Sequence, residues 1–167
     1  MTSSEPRLQI RTQHCTFCNH LLLATTRDIS TLPRRGGEAK DKAIILPLED
    51  RTIGEDADIN EAQGTRTKHA TLLLSTTIPD RRATLIRRED GIEKRVLLRC
   101  GRCKAVMGYY LDSVHYGEEK TKVVEDDDGN VEEKRPAVYI LPGAIVETDK
   151  MGGNSDDAEW QGWNNEA

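Results

Sequence analysis

The four cysteines of this chain form two C-x-x-C pairs, Cys15/Cys18 and Cys100/Cys103, with none left over. Two thiolates three positions apart on a tight turn can point at one ion. Two such turns brought together supply the four soft, tetrahedral ligands that Zn²⁺ takes in structural sites. The reading is one structural Zn²⁺ held by Cys15, Cys18, Cys100 and Cys103. Two other chemistries share the pattern. A redox C-x-x-C sits at the start of a helix in a βαβ unit, and neither pair is followed by a helical pattern. Paired disulfides need an oxidising compartment. Residues 1–20 lack the apolar run of a signal peptide, so the expectation is an intracellular chain with reduced cysteines.

A catalytic zinc keeps one position open for water, and four cysteines fill the sphere. His14 and His20 flank the first pair, so either could replace a cysteine or hydrogen-bond a ligating sulfur. His69 and His115 stand alone and read as ordinary surface or turn residues. The sequence has no H-E-x-x-H, no G-x-S-x-G and no phosphate-cradling glycine loop. Gly36-Gly37 and Gly152-Gly153 lack a strand-to-helix context. No enzyme is expected, and no cofactor besides the metal.

The elements that must position the sulfurs read as strands. Leu8 to His14 alternates apolar and polar residues into the first cysteine turn, and His20 to Thr26 suits a strand leaving it. Arg95 to Arg99 enters the second turn and Ala105 to Leu111 leaves it. Further strand candidates are 42–48, stopped near Pro47, then 70–77, 83–88, 137–140 and 144–147. Turns fall at Pro79-Asp80, at Glu89-Asp90-Gly91 and at Pro142-Gly143. Residues 121–124 and 131–133 could be the arms of a hairpin around Asp126-Asp127-Asp128-Gly129-Asn130, or part of a solvated acidic loop. A helix over 35–45 is opposed by Gly36 and Gly37. Eight to ten short strands without a confident helix point to an all-β chain.

One domain is the expectation at 167 residues. Residues 1–7 read as a disordered leader. Residues 8–150 read as a zinc-binding β domain with flexible loops at about 49–68 and 117–135. Residues 151–167 read as a disordered acidic tail carrying Trp160 and Trp163. The hydrophobic fraction is 36% and the charged fraction 32%, so the core must be modest. No segment approaches the ~20 apolar residues of a membrane span. Joining the two pairs closes a loop of about 80 residues at roughly 4 kcal/mol. A structural Zn²⁺ contributes about 10–16 kcal/mol in small model systems, which outweighs that closure.

Four blocks, HCTFCNHLLL at 14–23, LIRREDGIEKR at 85–95, RCGRCKAVMGYY at 99–110 and YILPGAIVE at 139–147, resemble the STING ER exit protein family. The resemblance covers roughly residues 8–150. It implies a zinc-ribbon or β-tent-like domain and a non-enzymatic adaptor in traffic of a membrane cargo from the endoplasmic reticulum toward the Golgi. The family is named for carrying the adaptor STING along that route. Relatives associated with late spliceosomal complexes imply the alternative, a nuclear role in pre-mRNA splicing. The partners implied are cargo and coat proteins, or spliceosome components. The location is the cytoplasm at the ER periphery or the nucleus. Family members usually carry Gly directly after the second cysteine of each knuckle, where the chain turns left-handed. Asn19 and Lys104 stand there instead. Asn tolerates that conformation and Lys adopts it at a cost.

The net charge of −5 and the 4% of aromatic residues oppose binding of nucleic acid by bulk charge or base stacking. Weak RNA contact through Arg81, Arg82, Arg87 and Arg88 stays open if strands 83–88 and 94–99 pair. The competing reading is a salt-bridged solvent face with Glu89, Asp90 and Glu93. The two tail tryptophans read as a linear docking motif, or as an anchor that folds back on the domain.

Overall fold

Each C-x-x-C is entered by one strand and left by another. In the computed structural model, which describes residues 7–36, 40–48, 69–112, 115, 122–125 and 131–152, β1 (Arg11–Cys15) and β2 (Leu21–Thr25) flank the first pair. The others in chain order are β3 (Ile44–Pro47), β4 (Thr71–Leu73), β5 (Thr77–Pro79), β6 (Thr84–Arg88) and β7 (Gly91–Cys100). They continue with β8 (Val106–Leu111), β9 (Lys122–Glu125), β10 (Val131–Lys134), β11 (Ala137–Ile140) and β12 (Ile145–Glu147). β7 and β8 flank the second pair. Short 3₁₀ turns lie at Ile29–Thr31 and Thr148–Lys150. The described residues contain no α-helix, and no helix long and apolar enough to cross a membrane. The expected all-β single domain is what the chain forms, with twelve strands among the described residues where eight to ten were expected.

Two sheets face each other across the knuckles. One has the order β12-β1-β2-β4. The other runs β3-β11-β8-β7-β5, with β6 also paired to β7. β8 lies along one edge of β7, while β6 and β5 follow one another along the opposite edge. β9 and β10 pair as an antiparallel hairpin within the acidic span 117–135. The expected loop at 49–68, residues 1–6 of the leader and residues 153–167 of the tail lie outside the described residues.

One expected strand divides differently. Residues 70–77 do not form one strand. β4 belongs to the first sheet and β5 to the second, because the chain turns at Leu74 to Thr77, where the Thr77 N–H donates to the Leu74 carbonyl. The stretch 137–147 breaks at Pro142-Gly143 as predicted, with Gly143 at φ 75°, and its two halves also enter different sheets. β11 is interior between β3 and β8, so its ladder is already filled. β12 is the edge beside β1.

The core divides in two. Leu22, Leu23, Leu46, Leu98, Met107, Val138 and Ile140 pack with Cys15 and Cys100 in one cluster. Ala43, Tyr109, Leu111 and Tyr139 form the second. β11 serves both through its alternation: Val138 and Ile140 face the first, Ala137 and Tyr139 the opposite side. Gly108 of β8 sits opposite Ile140, and a Cβ there would meet the Tyr139 carbonyl oxygen at 2.3 Å. The closeness of these two strands therefore requires glycine.

Candidate metal centre

The two cysteine turns are built alike, position by position, at a constant offset of 85 residues. In the first, the Cys15 N–H donates to the His20 carbonyl and the Asn19 N–H to the Cys15 carbonyl. In the second, Cys100 N–H donates to Ala105 and Lys104 N–H to Cys100. Asn19 has φ 60° and Lys104 φ 64°, so both stand in the left-handed region expected of them. Lys104 Nζ turns back to the Gly101 carbonyl at 2.9 Å. Each knuckle also carries a register shift two residues before its first cysteine, at Gln13/His14 and Leu98/Arg99. The shifts set Leu22 and Met107 as extra residues in the strands that leave the knuckles. A bulge re-aims side chains, and both enter the first core cluster.

Neighbouring connectors hold the knuckles in place. The Thr16 N–H donates to the Ala144 carbonyl and its hydroxyl to the Gly143 carbonyl at 2.8 Å. At the equivalent position, the Gly101 N–H donates to the Thr76 carbonyl at 2.7 Å. Thr76 in turn donates its hydroxyl to the Leu21 carbonyl. The turn between β4 and β5 thus ties the second knuckle to the strand leaving the first.

The four sulfurs converge. All four Sγ atoms lie within 4.8 Å of one another. Cys15 and Cys103 are 3.5 Å apart, as are Cys18 and Cys100. No pair is at the ~2.05 Å of a disulfide bond, and all four are free thiols. A tetrahedron with metal–sulfur bonds of 2.3 Å has edges of about 3.8 Å, so the donor set fits a tetrahedral ion. Cys15 and Cys100 are buried, Cys18 is half-buried and Cys103 faces solvent. Backbone N–H groups of Cys18 and Phe17 point at the Cys15 sulfur, and those of Cys103 and Arg102 at Cys100.

These environments set the thiols apart. Burial pushes Cys15 up to about 12 and also raises Cys18. Burial acts upward on Cys100 too, but the Cys103 and Arg102 N–H groups, the Cys18 thiol and His20 bring it down to about 6. Four thiolates this close repel without a cation, and a cation that binds the four cysteines displaces the protons of those still present as thiols.

The histidines divide. His14 turns away, with Nδ1 at 3.0 Å from the Asn19 carbonyl and Nε2 at 2.9 Å from Thr148 Oγ1. His20 approaches the site, its Nδ1 lying 3.9 Å from the Cys100 sulfur. His20 therefore contacts a candidate ligand rather than replacing one. His69 pairs with Thr26, and the His115 ring accepts from the Lys94 N–H.

A match to the family model of the STEEP1 domain spans residues 4–155. The chain belongs to the STEEP1 domain family. No curated protein matches the chain in a direct sequence comparison. The match takes in every described strand of this STEEP1 domain and both of its knuckles.

Sequence reasoning missed a second polar centre of the STEEP1 domain. Glu93 on β7 is 6% exposed. Its carboxylate receives two hydrogen bonds from Arg35, each 2.8 Å, one from Arg88 at 2.5 Å and one from Arg95 Nε. Arg95 also pairs with Asp41 at 2.9 Å, and Asp41 accepts from the Tyr109 hydroxyl at 2.8 Å. Tyr109 stacks on Tyr139 with centroids 5.4 Å apart, and the Arg95 guanidinium lies 4.0 Å from the Tyr109 centroid. Arg35, with Arg95 and Arg88, holds the Glu93 carboxyl well below the usual carboxylate range against its burial. The salt-bridged solvent face expected around Glu93 is therefore an interior network. Arg88 is spent inside it, while Arg81, Arg82 and Arg87 are exposed. The available signal was strand parity: residues 86, 88, 93 and 95 share one face once the strands pair.

Proposed function

We propose that this chain is a non-enzymatic adaptor, a zinc-stapled β domain that supports exit of a membrane cargo from the endoplasmic reticulum. The family match over residues 4–155 is the observation that carries the reading. Zn²⁺ is the proposed ion, because four converging cysteine sulfurs favour a soft tetrahedral metal. When bound, it cross-links the two knuckles and completes the domain. Cys15, Cys18, Cys100 and Cys103 hold it. The N–H groups aimed at Cys15 and Cys100 stabilise the thiolates, and His20 supports Cys100. Four protein ligands leave no open position for a substrate, which supports a structural role. The match gives the splicing alternative no support.

The test follows a membrane cargo leaving the endoplasmic reticulum in cells depleted of the chain. Exit is expected to slow and to recover with the wild-type chain, and coat and cargo proteins are expected on affinity capture. Normal cargo transit, with small-nuclear-ribonucleoprotein components captured instead, overturns the reading.

A further inference from the structure

The β6–β7 hairpin is built inside out. Directly opposed residues of an antiparallel pair share a face, and the register here is Leu85 with Lys94 and Arg87 with Ile92. These four side chains point outward. The inward face carries Arg88, Glu93 and Arg95 beside a single half-buried aliphatic residue, Ile86. Leu85 is 65% exposed and Ile92 68%. A half-buried hairpin normally turns its branched aliphatic residues to the core and its charges to water. Here the charges are locked beneath and two large aliphatic side chains, diagonal neighbours on the strand pair, face solvent.

Three further features bear on what covers that face. Among the described residues β6 pairs only with β7, so its other backbone edge is open. The network at Glu93 clamps the hairpin from below and pre-organises it. Three cations near the apolar pair are unspent: Arg81, Arg82 and Arg87 make no ion pair among the described residues. Lys94 is already paired with Asp112 at 3.0 Å. An apolar strip with a free strand edge and a cationic border complements an extended segment with apolar and acidic side chains.

We propose that the outer face of β6–β7 is a docking site for an acidic, aliphatic-rich segment of a partner protein, added as a strand along β6. Leu85 and Ile92 receive its apolar side chains, and Arg81, Arg82 and Arg87 receive its carboxylates. An RNA partner is disfavoured. Arg88 is withdrawn into the interior, and the chain carries a net charge of −5. The proposal stands on the hairpin alone and does not need the trafficking role.

The test uses the full zinc-loaded chain and a fluorescent peptide of alternating Asp/Glu and Leu/Val. A Lys/Arg counterpart and a single-stranded RNA are the controls. Anisotropy should show binding of the acidic peptide, weakening as salt rises, with backbone amide shifts concentrated at residues 84–88. Leu85→Ser and Arg87→Glu should each weaken it at least tenfold, with the thermal transition of the free protein unchanged. Five results overturn the proposal. These are no binding, equal binding of the basic peptide, tighter binding of RNA, shifts elsewhere on the domain, or a face already covered in the free protein. The last would appear as Leu85-dependent self-association, or as protection of β6 from hydrogen exchange that is lost on deleting residues 153–167.

Discussion

The sulfur of Cys15 lies 3.5 Å from that of Cys103, although 88 residues separate the two in the chain. Cys18 and Cys100 repeat that spacing across 82 residues. Each knuckle belongs to a different sheet, so an ion between these sulfurs joins the two sheets at their cysteine ends. Backbone bonds from Thr16 to Ala144 and from Gly101 to Thr76 brace the two turns.

Lys104 occupies a left-handed turn with φ 64°. A non-glycine residue there costs about 1–2 kcal/mol, partly offset by its Nζ bond to Gly101. Lys104→Gly is expected to stabilise the zinc-loaded domain by about 1 kcal/mol in a denaturant titration. A loss of stability would mean that the lysine contact outweighs the strain.

Gly108→Ala should act in the opposite direction. The added Cβ meets the Tyr139 carbonyl oxygen at 2.3 Å and Ile140 Cα at 3.2 Å, and both are backbone atoms of an interior strand. Overpacking costs about 1–3 kcal/mol. The expected result is a loss at the upper end of that range, seen as a lower thermal midpoint with metal content unchanged.

Glu93→Gln should expose the dependence of the β6–β7 hairpin on its buried network. Removing one charge from a buried cluster costs about 3–5 kcal/mol. The folded carboxyl of Glu93 is depressed, with Arg35 the main cause. Its stabilisation is therefore fully present above the unfolded value of about 4.3. It is lost as pH falls below that value and through the depressed one. The gap between wild type and variant should be constant from pH 7 to 5 and narrow below about pH 4. Loss of metal in acid acts on both proteins, so the difference between their midpoints is the quantity to follow. A gap that does not change with pH would contradict the network.

Much of this architecture could be read before the structure. The C-x-x-C spacing named the four residues that converge, and alternation located most strands, because both signals are local. The break at Leu74 was not legible in the same way. Residues 70–77 read as one strand, yet the chain bends there because Leu74 and Thr77 bond to Leu22 on a strand distant in sequence. The Glu93 network was hidden for a related reason. Its members Arg35, Asp41, Tyr109 and Tyr139 come from separate elements, and an arginine beside carboxylates in sequence looks the same whether it faces water or the core. The repeated bulges at Leu22 and Met107 likewise belong to strand pairing, which a single strand's pattern does not contain.

The most direct test of the central claim is metal content by mass spectrometry on the full untagged chain, beside a variant carrying Cys100→Ser and Cys103→Ser. One zinc per wild-type chain is expected, lost in the variant together with a cooperative thermal transition. A wild-type chain without zinc, or a variant that keeps its zinc and its transition, would contradict a shared site and with it the stapled domain.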